Sequence, residues 1–454
     1  MKKARFMSTL LAALLLFTLV LSGCGSQQPA ENNPSQSTEA TGEATGNTAP
    51  AEKVKLTVLT RWTGSDAMTP LFDEIIKGFT ELHPEVEIQN DSVNEEAAFN
   101  NKLKTAIATG DVPNVFYNPG IMNAVDYAKN GIVMEISPLF EDKEWYDGFI
   151  DGAFETYNFT PFGAKGYYAI PHSIGVEGIF YNKDLFAKAG IAKVPETIED
   201  MYDAIDKLKA IGVTPFAVGA KETWRAGHLL NWLTYKNVGI DKVKQIGARN
   251  AKWTDPDMVE TLKLFVDLKN RGAFPVNFEG VTYDEEKSMF LTEKAAMVLN
   301  GSWFIGDCDG SDISAKIGIF APPSFKDKPQ FNGNGIIYPQ QLYLSGKATG
   351  AQKDMQIAFV KYISNKENQQ KMALEIQRIP IRKDLDLSSA KPDSLFSQAV
   401  AISNSITLSC GDTFDFDPLP SMMDRTRNSL IGMSLGMSPE DTAKEIQSEI
   451  DKNK

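Results

Sequence analysis

A tryptophan stands among small polar residues directly after the first predicted strand, in the segment Arg61-Trp62-Thr63-Gly64-Ser65-Asp66. In open α/β sheets, ligands bind at the carboxyl ends of strands, where the loops collect. Trp62 is therefore a candidate platform on which an apolar face of a ligand could stack. Ordinary core packing is the alternative role of Trp62, because tryptophan side chains are highly buried on average.

Motifs for covalent or metal-assisted catalysis do not occur in the sequence. There is no Gly-x-Ser-x-Gly elbow, no His-Glu-x-x-His pair and no paired Cys-x-x-Cys. The three histidines, His83, His172 and His228, are too dispersed for a histidine-rich zinc site. We predict no metal, no cofactor and no enzymatic activity. A glycoside hydrolase with two catalytic carboxylates stays open as an alternative, since the chain is rich in acidic residues.

Cys24 is a candidate for covalent lipid attachment. Three basic residues near the amino terminus precede the apolar run Leu10–Leu21, and Ser22-Gly23 then lead into Cys24. Residues 1–23 have the basic, apolar and small-residue regions of a secretory signal peptide. The segment Leu21–Cys24 resembles a bacterial lipobox, which predicts that Cys24 becomes the lipidated first residue of the mature protein. An uncleaved anchor is the alternative, although the apolar run is shorter than the ~20 residues of a membrane span.

Composition separates a tether from a folded region. Residues 24–52 are Ser, Thr, Gly, Pro, Asn, Gln, Ala and Glu with no large aliphatic or aromatic residue after Cys24, which predicts a disordered linker. The remaining 400 or so residues exceed one ordinary hydrophobic core, so we expect two domains or lobes. The formal net charge of −13 disfavours nucleic-acid binding, which relies on basic residues.

Strand and helix patterns alternate from residue 54 onward. Alternating apolar residues predict a strand at Val54–Leu59, and apolar residues at helical spacing predict a helix that Pro84 ends. This alternation indicates parallel strands with helices on both faces of the sheet. The other predicted strands are 86–88 and 114–117, and the other predicted helices are 99–109, 198–210, 255–268 and one that begins at 438.

Several passages along the chain form a set that occurs in a known order. They are Phe79–Ile88, Leu103–Val115, Ala169–Pro171 with Phe180–Phe186, Phe290–Met297 with Gly301–Trp303, and Ala358–Ile363 with Arg378–Arg382. In these passages the chain resembles the extracellular solute-binding proteins of ABC importers, in the branch that binds sugars and oligosaccharides. The similarity extends over nearly the whole mature chain. Two positions depart from the family pattern: Asn114 stands where Asp is usual and Glu293 stands where Gly is common.

The resemblance implies a two-lobed, type II periplasmic-binding-protein fold. Each lobe would be a mostly parallel sheet flanked by helices, and the ligand would lie in the cleft between them. Crossing strands are expected near 170–176 and 335–342. The amino-terminal lobe would comprise 53–172 and 338–388, and the carboxy-terminal lobe 173–337 and 389–454. Closure of the lobes over the ligand would be the signal that a permease detects.

The resemblance also implies which residues contact a sugar. Aromatic rings stack on the C–H face of a pyranose, while carboxylates, amides and arginine bind its hydroxyl groups. Trp303 is the strongest stacking candidate, and a solvated loop is the alternative for the 219–225 segment. The predicted ligand-binding residues are Trp62, Ser65, Asp66, Asn118, Glu222, Trp224, Arg225 and Trp303, together with Asp424 and Arg425, which stand where some relatives supply an aromatic residue.

The implied function is capture of a carbohydrate, expected to be an oligosaccharide, and its delivery to the permease of an ABC importer. The protein would be a monomer, held outside the cytoplasm by a lipid on Cys24. A non-sugar solute and a role as a ligand sensor are the alternatives within the same fold. Cys308 and Cys410 could form one disulfide or remain two separate buried thiols.

Overall fold

A computed structural model describes residues 53–118 and 120–453. Residues Glu52–Lys454 form one compact unit. The predicted signal peptide, Cys24 and the linker lie outside the described residues. In the described ranges, no helix combines the length and the apolar composition needed to cross a membrane.

The described chain contains nine strands and sixteen α-helices, with short 3₁₀ turns between them. The strands are β1 Val54–Leu59, β2 Val86–Asn90, β3 Val115–Phe116, β4 Ile170–Asn182, β5 Thr214–Phe216, β6 Ala295–Gly301, β7 Ile317–Phe320, β8 Asn334–Leu344 and β9 Leu408–Cys410. The helices are α1 Thr69–Leu82, α2 Glu96–Thr109, α3 Ile121–Lys129, α4 Lys143–Tyr146, α5 Lys183–Lys188, α6 Ile198–Ala210, α7 Trp224–Asn237, α8 Ile240–Gly247, α9 Pro256–Asn270, α10 Tyr283–Leu291, α11 Ile305–Asp309, α12 Gly350–Ile363, α13 Lys366–Leu374, α14 Leu395–Ser405, α15 Ser421–Ser434 and α16 Pro439–Lys452. The 3₁₀ turns are Ser137–Glu141, Glu155–Tyr157, Thr160–Phe162, Phe278–Gly280, Ser302–Phe304, Ser314–Lys316 and Pro329–Phe331.

The strands form a mixed sheet in the order β2-β1-β3-β8-β4-β6-β5, with β7 beside β4 and β9 beside β8. The parallel pairing predicted for the first three strands is confirmed, since β1 is parallel to both β2 and β3. Strand β4, in contrast, runs antiparallel to β6, β7 and β8. The two segments predicted to cross between lobes lie in β4 and β8, which pair with each other from Ile170↔Leu342 to Val176↔Ile337.

Two pairs of hydrophobic clusters correspond to the two lobes of the fold. The first pair is formed by side chains from 56–170 and 342–381. The second pair is formed by side chains from 176–336 and 395–450, with Ala373 and Ile379 added. Cys308 and Cys410 are both buried and unpaired, so the two-thiol alternative holds.

Local sequence signals place the helices that carry the site. In α1, four apolar residues at helical spacing, Leu71, Phe72, Ile75 and Phe79, are buried, and Pro70 occupies the first turn of the helix. Capping boxes at Thr197 and Thr282 fix the starts of α6 and α10, because each threonine hydroxyl accepts a hydrogen bond from the third helical N–H. Gly110 ends α2 with a φ of 80°, a left-handed conformation that glycine adopts without steric cost.

Candidate functional site

An aromatic cluster forms where α7, α10 and the turn after β6 meet. Trp303 Nε1 donates a hydrogen bond to Tyr283 Oη at 3.1 Å. The ring of Trp224 lies edge-on to Tyr283, with centroids 5.0 Å apart. Because both tryptophans are only partly buried, they keep ring surface available to a ligand. The structure thus brings together two of the predicted stacking residues through Tyr283, which the sequence did not single out.

Two glycines shape the seat of Trp303. A Cβ atom on Gly301 would lie within van der Waals overlap of the Trp303 ring, and one on Gly175 would lie 2.6 Å from it. The indole ring therefore rests directly on the backbone of β4 and β6, where no larger residue fits. This support fixes the orientation of Trp303 before a ligand arrives, which reduces the entropy lost on binding.

Glu222 supports the same cluster by holding α10. Its Oε2 atom accepts a 2.8 Å hydrogen bond from the backbone N–H of Tyr283, the first residue of α10. A carboxylate at this position satisfies an N–H that the helix itself cannot and lies at the positive end of the helix dipole. One carboxylate oxygen of Glu222 is thereby engaged in positioning Tyr283.

Trp224 reaches from the second lobe to the first. Its Nε1 donates a 2.9 Å hydrogen bond to Glu96 Oε2, at the start of α2. The same carboxylate oxygen lies 3.2 Å from Arg61 Nη1. Burial raises the pKa of Glu96, and the attraction of Arg61 and the hydrogen bond from Trp224 oppose that rise.

His228 and Tyr338 form the inner wall of the cluster. Their rings are stacked with centroids 5.0 Å apart and an interplanar angle of 17°. His228 also lies edge-on to Trp224 at 4.7 Å. Asn231, one turn further along α7, donates hydrogen bonds to Tyr338 Oη at 2.9 Å and to Asp412 Oδ1 at 3.0 Å. The wall is therefore fixed by packing and hydrogen bonds.

Arg225 is buried beneath the cluster, and its guanidinium is fully engaged. Nη2 lies 2.6 Å from Glu286 Oε1 and also donates to the carbonyl of Leu299. The carbon of the guanidinium lies 4.6 Å from the centre of the Trp224 ring, which is cation–π geometry. Glu286 also accepts a 2.7 Å hydrogen bond from the N–H of Gly219, so each oxygen of its buried carboxylate has a partner. The geometry gives Arg225 a supporting position below Trp224.

Three predicted residues follow β1 and lie in the first lobe. Trp62 is 8% exposed and packs edge-on to Phe72 and His172, with centroids 5.0 and 4.8 Å apart. Ser65 Oγ accepts from Asn94 at 3.1 Å. Asp66 Oδ1 accepts from the N–H of Met68 and lies 3.9 Å from Arg378.

The other predicted residues are dispersed. Asn118 is buried, and its side chain donates to the carbonyl of Gly120 at 2.9 Å. Asp424 is exposed in the first turn of α15. Arg425 pairs with Glu445 and Glu449 of α16, at 2.7 and 3.5 Å. The ligand-binding roles of these residues remain predictions.

Sequence reasoning did not select Glu96, His228, Tyr283 and Tyr338 as site residues. A signal existed for His228, because it follows Trp224 by four residues and so lies on the same face of α7. Tyr338 lies within the predicted second crossing strand. Glu96 carried no comparable signal, since Trp224, the residue that it contacts, is 128 positions away in sequence.

Comparison with known families identifies the fold. The family described as "Bacterial extracellular solute-binding protein" matches residues 65–370. The chain belongs to this family. Among curated relatives, it is 28% identical over 311 residues to the multiple sugar-binding protein of Streptococcus mutans, which covers 67% of this chain and 70% of the relative.

More distant relatives share the same architecture. The maltotriose-binding protein of Pyrococcus abyssi is 21% identical over 331 residues, covering 69% of this chain and 64% of that protein. Among solved structures, a chitin oligosaccharide binding protein superposes with a TM-score of 0.78 at 24% identity, over 88% of this chain and 98% of that one. These similarities establish the two-lobed, type II fold of a solute-binding protein.

Proposed function

We propose that this protein captures a carbohydrate, and specifically an oligosaccharide, in the cleft between its lobes. The observation that carries the proposal is the pair Trp224 and Trp303, joined by Tyr283 and seated on rigid backbone. Aromatic faces match the C–H face of a pyranose, and the carboxylates and amides around them match its hydroxyl groups. Two separate tryptophans favour a ligand with more than one sugar ring.

The names of the relatives support the same class of ligand. The S. mutans relative is a sugar-binding protein, the P. abyssi relative binds maltotriose, and the solved neighbour binds chitin oligosaccharides. The three names point to different sugars, so they support a carbohydrate without specifying which one.

We place the lobes at 53–172 with 338–388 and at 173–337 with 389–454. The separation of the hydrophobic clusters and the β4–β8 pairing support these boundaries. Ligand binding would stabilise the closed arrangement, because a sugar held between the lobes contacts both at once. The Trp224–Glu96 hydrogen bond would form part of that arrangement.

The closed form would be the form that delivers the sugar to the permease of an ABC importer. The protein would act as a monomer outside the cytoplasm, without catalysing a reaction on its ligand and without a cofactor. A lipid on Cys24 would hold it at the membrane. Cys24→Ser tests this anchor: the variant should leave the membrane fraction or stay unprocessed, whereas normal lipid labelling would contradict the proposal.

A thermal-shift panel tests the ligand class. Residues 52–454 are heated alone and with chitotriose, xylotriose, maltotriose, raffinose and galactose, and each sugar is recovered for mass analysis. A ligand that binds the native state raises the melting temperature by mass action. An upward shift with an intact sugar is the expected result. A cleaved sugar would indicate a hydrolase, and no shift with any sugar would indicate a non-carbohydrate solute.

A further inference from the structure

The carboxyl group of Glu177 is buried at the base of the aromatic cluster. Glu177 lies on β4 opposite Gly301 of β6, next to the strand end that leads to Trp303. It is 1% exposed, and neither carboxyl oxygen has a geometrically satisfied hydrogen bond among the described residues. The side chain instead abuts Nδ1 of His228. A buried carboxylate with so few donors is strongly destabilised, so the carboxyl group should keep its proton.

The geometry around His228 defines which ring nitrogen carries hydrogen. Arg225 Nη1 lies 3.4 Å from His228 Nδ1, on the same side of the ring as Glu177. A guanidinium only donates hydrogen bonds, and a protonated Glu177 has its own hydrogen to donate, so both neighbours of Nδ1 favour a lone pair on that nitrogen. Nδ1 is therefore an acceptor, and a neutral imidazole must carry its single hydrogen on Nε2. A protonated Glu177 completes this arrangement by donating to Nδ1.

Nε2 is the ring nitrogen on the side of His228 away from these contacts. In the part of the chain that the structure describes, no side chain or backbone group pairs with His228 Nε2. The ring itself is held by Tyr338, Trp224 and Trp303. Nε2 thus lies within the aromatic cluster, on a side chain that packing prevents from turning.

We propose that Glu177 is a positioning residue that holds His228 in the Nε2–H tautomer, and that this N–H donates to an oxygen of the bound carbohydrate. The inference rests on the proposed function and adds a specific polar contact to it. Carboxylates around the cluster, such as Glu96 and Glu222, can accept hydrogen bonds from sugar hydroxyls. The Nε2–H group of His228 would add a donor, fixed in direction by the packed ring, for an oxygen of the ligand.

The surrounding charges are consistent with a neutral pair. Burial raises the pKa of Glu177 to about 8, although Arg225 lowers it and Asp412 raises it further. Burial also lowers the pKa of His228 well below its ordinary value; Asp412 opposes this effect, while Arg225 and Arg427 reinforce it. Of these three neighbouring charged groups, Arg225 is paired with Glu286, and Arg427 lies 3.1 Å from Asp412. Both partners are thus uncharged near pH 7.

The arrangement makes ligand binding sensitive to alkaline pH. Above pH 8, Glu177 loses its proton to solvent, and the resulting carboxylate favours the tautomer with hydrogen on Nδ1. Nε2 then becomes an acceptor and no longer serves the ligand oxygen. If only the protonated form binds, the apparent Kd rises about tenfold between pH 7 and pH 9.

The first test uses ¹⁵N NMR of the histidine rings in residues 52–454 without ligand, with His228→Gln to assign the resonances. The expected result is the Nε2–H tautomer at pH 7, which changes to Nδ1–H above about pH 8. Glu177→Gln should keep Nε2–H throughout, because its amide donates to Nδ1 and does not titrate. An imidazolium or an Nδ1–H tautomer at pH 7 would overturn the proposal. Since no ligand is present, this result is independent of the proposed function.

The second test adds the trisaccharide of the panel that raises the melting temperature most. The Nε2 resonance should shift, and the tautomer change should move to higher pH, because binding and protonation are linked. Affinity should fall about tenfold from pH 7 to pH 9 in the wild type and stay constant in Glu177→Gln. Asp415→Asn is the matched control, since Asp415 is the other carboxyl with a pKa raised to about 8 and its loss should leave the pH dependence unchanged. An unchanged Nε2 resonance would remove His228 from the site.

Discussion

Trp224 Nε1 and Glu96 Oε2 are joined by a 2.9 Å hydrogen bond that links the start of α7 in one lobe to the start of α2 in the other. Arg61, 3.2 Å from the same oxygen, compensates the carboxylate charge. The aromatic residue proposed to stack on the sugar therefore also connects the lobes. In the proposed function, ligand stacking and lobe closure share one side chain, so we expect a change at Trp224 to alter both.

Trp224→Phe should weaken closure while it retains an aromatic face. The variant loses the N–H that reaches Glu96, a contribution of about 1 kcal/mol, which corresponds to a shift of roughly fivefold in the equilibrium between closed and open forms. Small-angle scattering of the ligand-free protein should report a larger radius of gyration.

Trp303→Phe is the matched control for this experiment. Its lost N–H bonds to Tyr283, which lies on the same side of the cleft, so the closed form should be unaffected. An equal expansion in both variants would contradict a closing role for the Trp224–Glu96 bond.

Trp303→Ala should weaken sugar binding strongly and leave the fold intact. Removing the ring takes away the stacking surface seated on Gly175 and Gly301, with a loss of about 2 kcal/mol, or roughly 30-fold in Kd. Titration calorimetry measures the change, and circular dichroism confirms that the protein folds. Trp303→Phe should recover part of the affinity, and an unchanged Kd in the alanine variant would exclude Trp303 from the site.

Arg225→Met should destabilise the protein more than any of the cleft substitutions. The change leaves Glu286 buried without its partner, which costs about 3–5 kcal/mol. The double variant Arg225→Met/Glu286→Leu should recover much of that loss, because it removes both buried charges. Chemical denaturation measures the free energy of unfolding. If Arg225→Met lowered affinity at full stability, Arg225 would be a ligand contact and not a support for Trp224.

Glu177 should make the protein less stable as pH rises from 5 to 8. Its pKa is about 8 in the folded protein and 4.5 ordinarily, so the folded state keeps a proton that the unfolded chain releases. The resulting stabilisation is complete below pH 4.5 and is lost as pH approaches 8, at up to about 1.4 kcal/mol per pH unit.

Glu177→Gln should flatten this decline, as measured by denaturant unfolding at pH 5, 6, 7 and 8. Asp415→Asn is the comparison variant. The pKa of Asp415 is also raised to about 8, so Asp415 contributes its own loss of stability with rising pH, which Glu177→Gln should leave in place. Identical pH profiles for the wild type and Glu177→Gln would mean that Glu177 is ionised in the folded protein.

Local sequence patterns predict the helices and strands, whereas the contacts of the candidate site depend on how distant parts of the chain pack together. Strand β1 and helices α1 and α6 follow from apolar spacing and capping residues that lie within about ten positions of each other. Trp303 and Trp224 follow from the family resemblance. The contacts of Glu177 and Glu96 do not, since each depends on strand register or lobe packing between residues far apart in sequence.

The same dependence on contacts between distant parts of the chain explains why Arg225 and Arg425 have other neighbours than expected. Arg225 was predicted as a ligand contact because it follows Trp224 in a loop, yet it lies in the first turn of α7 and points at Glu286. The position of Arg425 on α15 directs its guanidinium to α16. The partner of each arginine depends on the direction in which its side chain leaves the helix. A single sequence defines that direction only approximately, because it defines the ends of a helix only approximately.

The decisive experiment for carbohydrate capture is calorimetric titration of residues 52–454 with the trisaccharides of the panel, followed by mass analysis of the recovered sugar. We expect saturable binding of at least one sugar, recovery of that sugar intact, and a Kd at least roughly 30-fold higher in Trp303→Ala. Saturable binding that Trp303→Ala leaves unchanged, or a sugar recovered in fragments, would contradict this expectation.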